Sequence, residues 1–171
     1  MSATLARGTA HGSAATYVVE VAVKYGLSDP AGAALLPQIA TLGIAGIREA
    51  RVSALYQLSG RLSATQVHQI ARDLLTDPVI QEYRMDSATP SPAFLLGPHW
   101  RLEVWAKPSV TDPVGLSVCQ AVADLGLPAP DCVRTGTAYQ LLGRIGRPQA
   151  EKILSKLLAN PVIHRTQIEA L

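Results

Sequence analysis

Hydrophobic and polar residues alternate from Tyr17 to Tyr25, with Val19, Val21 and Val23 on one side and Glu20, Ala22 and Lys24 on the other. That period of two predicts a half-buried strand. Ser28-Asp29-Pro30 follows, with Asp at the N-cap and Pro at the first position of a helix whose buried stripe is Leu35, Leu36, Ile39 and Leu42, closed by Gly43. Pro37 lies inside this helix, where it removes a backbone donor and predicts a kink. From Ala50 to Leu62 the period returns to two, with Val52, Ala54, Tyr56 and Leu58 on one face and Arg51, Ser53, Leu55 and Gln57 on the other. The length of this strand leaves room for a bend in its middle. Ser63-Ala-Thr-Gln66 has capping-box spacing, and Val67, Ile70, Ala71, Leu74 and Leu75 then recur at helical intervals. Asp77-Pro78 cannot continue that helix, and Val79 to Met85 reads as a last strand.

The whole pattern occurs twice. Leu74-Leu75-Thr76-Asp77-Pro78-Val79-Ile80 returns as Leu157-Leu158-Ala159-Asn160-Pro161-Val162-Ile163, and Leu74 and Leu157 are 83 positions apart. The same offset aligns Val18 with Arg101 and Ala88 with Leu171 without a gap, and about 30 % of the aligned positions are identical. Chance matching gives roughly 6 %, so the chain is a duplicated domain. In the second copy Leu102, Val104 and Ala106 point inward and Glu103, Trp105 and Lys107 outward, and Gly136 is placed to bend the long strand. Each copy reads β-α-β-α-β, with a middle strand long enough to divide in two. The fold class is α+β, with helices on one face of a mostly antiparallel sheet. The expected boundaries are a disordered lead-in over 1–16, a first repeat over 17–87, a Pro- and Ser-rich linker over 88–98 tacked to the surface by Phe94 to Leu96, and a second repeat over 99–171. A half of about 70 residues is near the lower limit for a self-sufficient core, so the repeats should pack about a pseudo-two-fold axis.

Composition narrows the function classes. Charged residues make up 16 % of the chain and the net charge is +2, too little and too dispersed to predict a nucleic-acid partner. No apolar run approaches the ~18 residues of a membrane span, and the first residues lack the apolar stretch of a signal peptide, so a soluble cytoplasmic protein is expected. Cys119 and Cys132 face Leu36 and Glu49 in the other copy, and the four histidines are unmatched, which predicts neither a disulfide framework nor a metal site. There is no Walker-type phosphate loop, since Gly143-Arg-Ile-Gly146 lacks the required ending, and no nucleophile elbow. No catalytic residue and no cofactor site are expected.

The polar residues shared by both copies are Glu20, Lys24, Asp29, Arg51, Gln57, Arg61 and Gln66. Asp29 is explained as a helix cap. Lys24, Arg51 and Arg61, with Lys107, Arg134 and Arg144 as their counterparts, are either solvated charges that protect strand edges or contacts to a partner. Tyr56 and Tyr139 read as core residues with a wet hydroxyl rather than catalytic acids. Trp105 stands on the polar side of its strand where the first copy has Ala22, which makes it a candidate interface anchor; the alternative is that it covers the linker or packs across the junction of the repeats.

Asp-Pro-x-Gly at the first helix, the Val-Arg start of the long strand, and above all Lys156-Leu-Leu-Ala-Asn-Pro-Val-Ile resemble the PurS subunit of phosphoribosylformylglycinamidine synthase. That family's signature continues with an acidic residue and Tyr. The first copy keeps Glu82-Tyr83, and the second departs at His164 and Arg165. The chain thus looks like two PurS units in tandem. The resemblance implies a non-catalytic adaptor that bridges a PurQ-like glutaminase and a PurL-like synthetase in purine biosynthesis, as a pseudo-dimer open to further self-association. A small-molecule sensor built from paired α+β domains is the alternative, and a small enzyme using Lys24, Arg51 and Tyr56 a third reading.

Overall fold

A computed structural model describes residues 14–85, 94–95 and 98–171. The elements run β1 (Ala15–Val23), α1 (Pro30–Thr41), β2 (Ile47–Gly60), α2 (Ala64–Ile70), β3 (Gln81–Met85), β4 (Trp100–Ala106), α3 (Pro113–Asp124), β5 (Cys132–Gly143), α4 (Arg147–Ile153) and β6 (His164–Ala170). All six strands form one sheet in the order β3-β1-β2-β5-β4-β6, and every neighbouring pair is antiparallel. The sequence of elements is the same on either side of the β2–β5 pair, so the α+β duplication appears as one pseudo-symmetric sheet. Its helices all lie on the face that carries Val19, Tyr56, Tyr139 and Leu102. Residues 1–13 of the expected lead-in and 88–93, 96 and 97 of the expected linker lie outside the described residues, while Ala15 and Thr16, expected in the lead-in, already belong to β1.

The core belongs to neither repeat alone. Val19, Val21, Leu58, Val67 and Ile70 of the first repeat pack with Val118, Val122 and Val133 of the second. The reciprocal cluster joins Leu35, Ile39 and Ala50 to Leu102, Leu141, Ala150 and Ile153. Each long helix therefore covers apolar surface contributed by the other repeat. This answers the small-domain problem directly, because a half this size lacks the buried area to offset its conformational entropy.

Local chemistry sets the helix positions. The Asp29 carboxylate accepts from the N–H groups of Ala31 and Gly32 and, with its other oxygen, from Val52 N–H at 2.8 Å on β2. Asp112 repeats this with Gly115 and Thr135. The cap thus ties each helix start to the sheet, and Gly follows it for a steric reason. A Cβ on Gly32 would stand 2.0 Å from Ala50 O, and one on Gly115 would stand 2.4 Å from Val133 O. Pro37 is accommodated without ending α1, because it sits on the exposed side where water reaches the carbonyl left without its donor.

Four sequence expectations change. The middle strands are continuous, and Gly136 keeps its place in β5, paired with Leu55 and Trp105. It clears space for Trp105, whose ring would meet an added Cβ at 2.6 Å. The second helix of each repeat widens into a π turn, over Ala71–Leu75 and Leu154–Leu158, so Leu74, Leu75, Leu157 and Leu158 end half-buried. Val79-Ile80 and Val162-Ile163 are not strand residues. Asp77 and Asn160 accept the Val79 and Val162 N–H groups through their side chains, and Gln81 and His164 N–H groups through their carbonyls, folding each corner as a turn. Phe94 is buried against Ala22 rather than resting on the surface.

Candidate functional site: a charged seam between the repeats

The face of the sheet opposite the helices carries Val18, Glu20 and Ala22 on β1, Arg51, Ser53 and Leu55 on β2, Gln140 and Ala138 on β5, and Arg101, Glu103 and Trp105 on β4, as the strand registers require. Ser53 pairs with Ala138 at its centre, and these small side chains let longer ones lie across them. Arg101 reaches from β4 over β5 and β2 to Glu20 on β1, donating from both terminal nitrogens at 2.9 and 3.1 Å. Its Nε donates to Glu103 at 2.8 Å. Glu103 is the repeat counterpart of Glu20, so one guanidinium joins two equivalent carboxylates of the duplication.

Three further donors converge on Glu20. Arg84 Nε donates to it at 2.8 Å, Ser53 Oγ donates to its other oxygen, and Gln140 Nε2 approaches at 3.3 Å. Arg84 also lies 4.4 Å from the centre of the Phe94 ring, so Phe94 caps this end of the seam. At the other end the Trp105 indole N–H donates to Glu103 at 2.8 Å, and Arg165 stacks 5.3 Å above the ring. Glu20, Arg101, Ser53 and Gln140 are all buried. Burial pushes the Glu20 carboxyl up, but the hydrogen bonds and charge of Arg101, the charge of Arg84 and the Ser53 bond together hold it below its ordinary value. Arg101 is held above its own by the same pair, against the opposing effect of burial. The site is a closed, mutually neutralising network that links the outer strands of the two repeats.

The sequence candidates separate into two groups. Lys24 Nζ donates to Pro78 O and Val79 O, and Lys107 Nζ to Pro161 O, so these lysines clamp the corner turns. Arg51 donates to Val23 O at 2.7 Å and Arg134 to Val110 O and Pro108 O at 3.1 and 3.0 Å. All four cations thus donate to backbone carbonyls of turns and strand ends, the two lysines at equivalent corners. Arg61 and Arg144 are exposed. Trp105 does not project as an anchor. It is 7 % exposed and packs on Leu55 and Ala138, across the junction of the repeats. Tyr56 and Tyr139 are half-buried, and burial raises both hydroxyls. Cys119 and Cys132 are free thiols. Sequence reasoning missed Arg84, Arg101 and Phe94, whose signal was only that Arg101 stands opposite Val18 and Arg84 opposite Gln167 in the alignment of the copies.

A pseudo-dimeric α+β protein in one chain, its halves sharing both cores and locked by a charged seam, is the class that this fold and site define. The chain belongs to the PurS family: the family model described as PurS, phosphoribosylformylglycinamidine (FGAM) synthase, matches residues 16–89 and again 99–171. Two matches in tandem confirm the duplication as two PurS-like units. No curated protein matches the chain. Among the described residues no helix is long and apolar enough to cross a membrane.

Proposed function

We propose that this chain is the adaptor subunit of a glutamine-dependent FGAM synthase in the cytoplasm, bridging a PurQ-like glutaminase and a PurL-like synthetase without catalysing either reaction. The observation that carries the reading is the PurS match to both repeats, which makes the chain a synthase subunit of purine biosynthesis. The geometry supports it, since the charged groups of the seam are paired with one another and Glu20 and Arg101 are buried, an arrangement that holds a scaffold rigid. Of the contact candidates, Arg61 and Arg144 keep their side chains in solvent at equivalent ends of the two long strands, where a partner can reach them. Repeat boundaries at 17–87 and 99–171 follow from the same reading.

The test is reconstitution. The chain alone should show neither glutaminase nor synthetase activity, and adding it to its PurQ-like and PurL-like partners should raise glutamine-dependent amidine formation. Full glutamine-dependent rate from the two partners, unchanged by the chain, would end the adaptor reading.

A further inference from the structure

The only two cysteines of the chain line one cavity. Cys119 comes from α3 and Cys132 from the first position of β5, and both border a hollow of about 320 Å³ at the start of α3, walled also by Pro108, Gly115 and Leu116. The first repeat has Leu36 and Glu49 at these positions, so the two thiols are present together in one repeat and absent together from the other. Packing alone does not call for the first of them, since Leu36 fills the same half-buried place on α1.

The backbone on either side of Cys132 holds the Cys119 sulfur. Cys119 Sγ approaches Pro130 O at 4.0 Å, and the Val133 N–H donates to the same sulfur. Burial pushes the Cys119 thiol up, the Val133 N–H lowers it in part, and charge on Cys132 adds to the rise. Cys132 is exposed. It pairs with Ser59 at the last rung of the β2–β5 ladder, while on its other side β5 pairs with β4 only over residues 136–141. The strand end that carries Cys132 is therefore held along one edge and has freedom to make the small shift that bonding geometry requires.

We infer that Cys119 and Cys132 form a reversible dithiol–disulfide site whose reactant is a low-molecular-weight disulfide of the glutathione class. Cys132, the exposed thiol, attacks one sulfur of that disulfide as a thiolate. The small S–S bond breaks, a mixed disulfide forms on Cys132, and the first small thiol leaves with the proton. Cys119 then attacks the Cys132 sulfur, making the internal bond and expelling the second small thiol. The chain gives up two electrons and two protons, and the small disulfide takes both to become two thiols. In a reducing compartment the dithiol is the resting form and the bond marks an oxidising episode. Val118 and Val133, the neighbours of the two cysteines, both lie in the core shared with the first repeat, so the bond tightens the junction of the repeats. The inference needs no synthase partner and stands or falls separately from the adaptor reading.

The test equilibrates the full chain in millimolar mixtures of oxidised and reduced glutathione, quenches with acid, blocks free thiols with N-ethylmaleimide and weighs the intact protein. As the mixture becomes more oxidising, the form carrying two maleimides should give way to one that carries none and is lighter by two hydrogen atoms, with full reversal by dithiothreitol. Because Cys119 is held beside the sulfur it attacks, the mixed disulfide should stay below about a tenth of the chain. Cys119→Ser should stop at the mixed disulfide on Cys132, and Cys132→Ser should react at least about tenfold more slowly than the wild type. Melting temperatures of the reduced variants check that they fold, and Cys119→Leu, the residue the first repeat carries there, replaces the serine variant if that one does not. The oxidised wild type should melt at a higher temperature than the reduced protein. Two maleimides retained across the whole range, a mixed disulfide that accumulates in the wild type as it does in Cys119→Ser, or bonds between chains in place of the internal one would overturn the proposal.

Discussion

Ala54 lies directly opposite Thr137 in the central strand pair, and the two are the same position of the repeat, 83 residues apart. An antiparallel pair in which a residue faces its own counterpart is crossed there by a two-fold axis, so the pseudo-symmetry of the molecule passes through this point. Around it the main chain is that of a homodimer. The side chains on the helix-free face are not.

Because both cores cross that axis, neither repeat should fold by itself. Fragments 14–87 and 98–171, expressed separately, are expected to show unfolded far-ultraviolet circular dichroism, and mixing them should recover the native spectrum with one-to-one stoichiometry. Cooperative melting of either fragment alone would mean that the shared cores of Val118 with Val67 and of Ile39 with Ile153 are dispensable.

Trp105 now belongs with the core. Trp105→Ala removes a buried ring from Leu55 and Ala138 and leaves Glu103 without its indole donor, and a loss of about 3–5 kcal/mol is expected in denaturant melts. Gly136→Ala presses on the same ring and should cost about 1–3 kcal/mol. If Trp105→Ala melts like the wild type, the indole does not hold the junction.

The seam gives stability a defined dependence on acid. The folded pKa of Glu20 is below its ordinary value of 4.5, so the unfolded chain takes up its proton first as pH falls. The contribution is complete above about pH 5, declines below that, and is gone once the pH passes under the folded value. Glu20→Gln leaves Arg101 buried without its carboxylate and should cost about 3–5 kcal/mol near neutrality. The gap in melting temperature between the two proteins should narrow as the pH falls below about 5. A gap that stays constant as the pH is lowered to the acid unfolding limit would show that Glu20 is not the titrating group.

Loss of a corner clamp should be felt locally. Lys24→Met removes the donor to Pro78 O and Val79 O, and because the lysine is partly exposed the cost should be only about 1 kcal/mol. Hydrogen exchange at Ile80 and Gln81 should quicken well beyond that at Leu58 in the core. Uniform protection across the variant would mean that the turn is held by Asp77 alone.

Much of this was legible before the structure. The period of two around Val19 and Val104 fixed which side chains face the helices, and Asp-Pro fixed where α1 and α3 begin, because alternation and capping are local physics. Sliding the sequence on itself exposed the duplication and the likeness to PurS. Three features were hidden for a reason of range, and a fourth for want of any local signal. Which helix covers which repeat depends on contacts between residues such as Val67 and Val122, far apart in sequence. The polar register of Trp105 was read correctly, yet its burial comes from Gly136 and Leu55 on neighbouring strands. Arg101 stood out in the sequence only as the residue aligned with Val18, and only the order of four strands brings Glu20 within its reach. The π turns gave no signal, since Leu74 and Leu75 suit an ordinary helix equally well.

Arg101 has a consequence that concerns inheritance rather than packing. In a true homodimer any residue placed at its position appears on both sides of the axis, and two arginines would compete for the space over Ser53 and Ala138. Here the counterpart is Val18, so one side supplies the cation and the other yields the room. A single reading frame encoding both halves permits that division of labour, which two products of one gene cannot adopt. The molecule consequently has a front and a back of its sheet that follow different rules, one still nearly symmetric and one handed, and any neighbour that reads the handed side meets it in a single orientation.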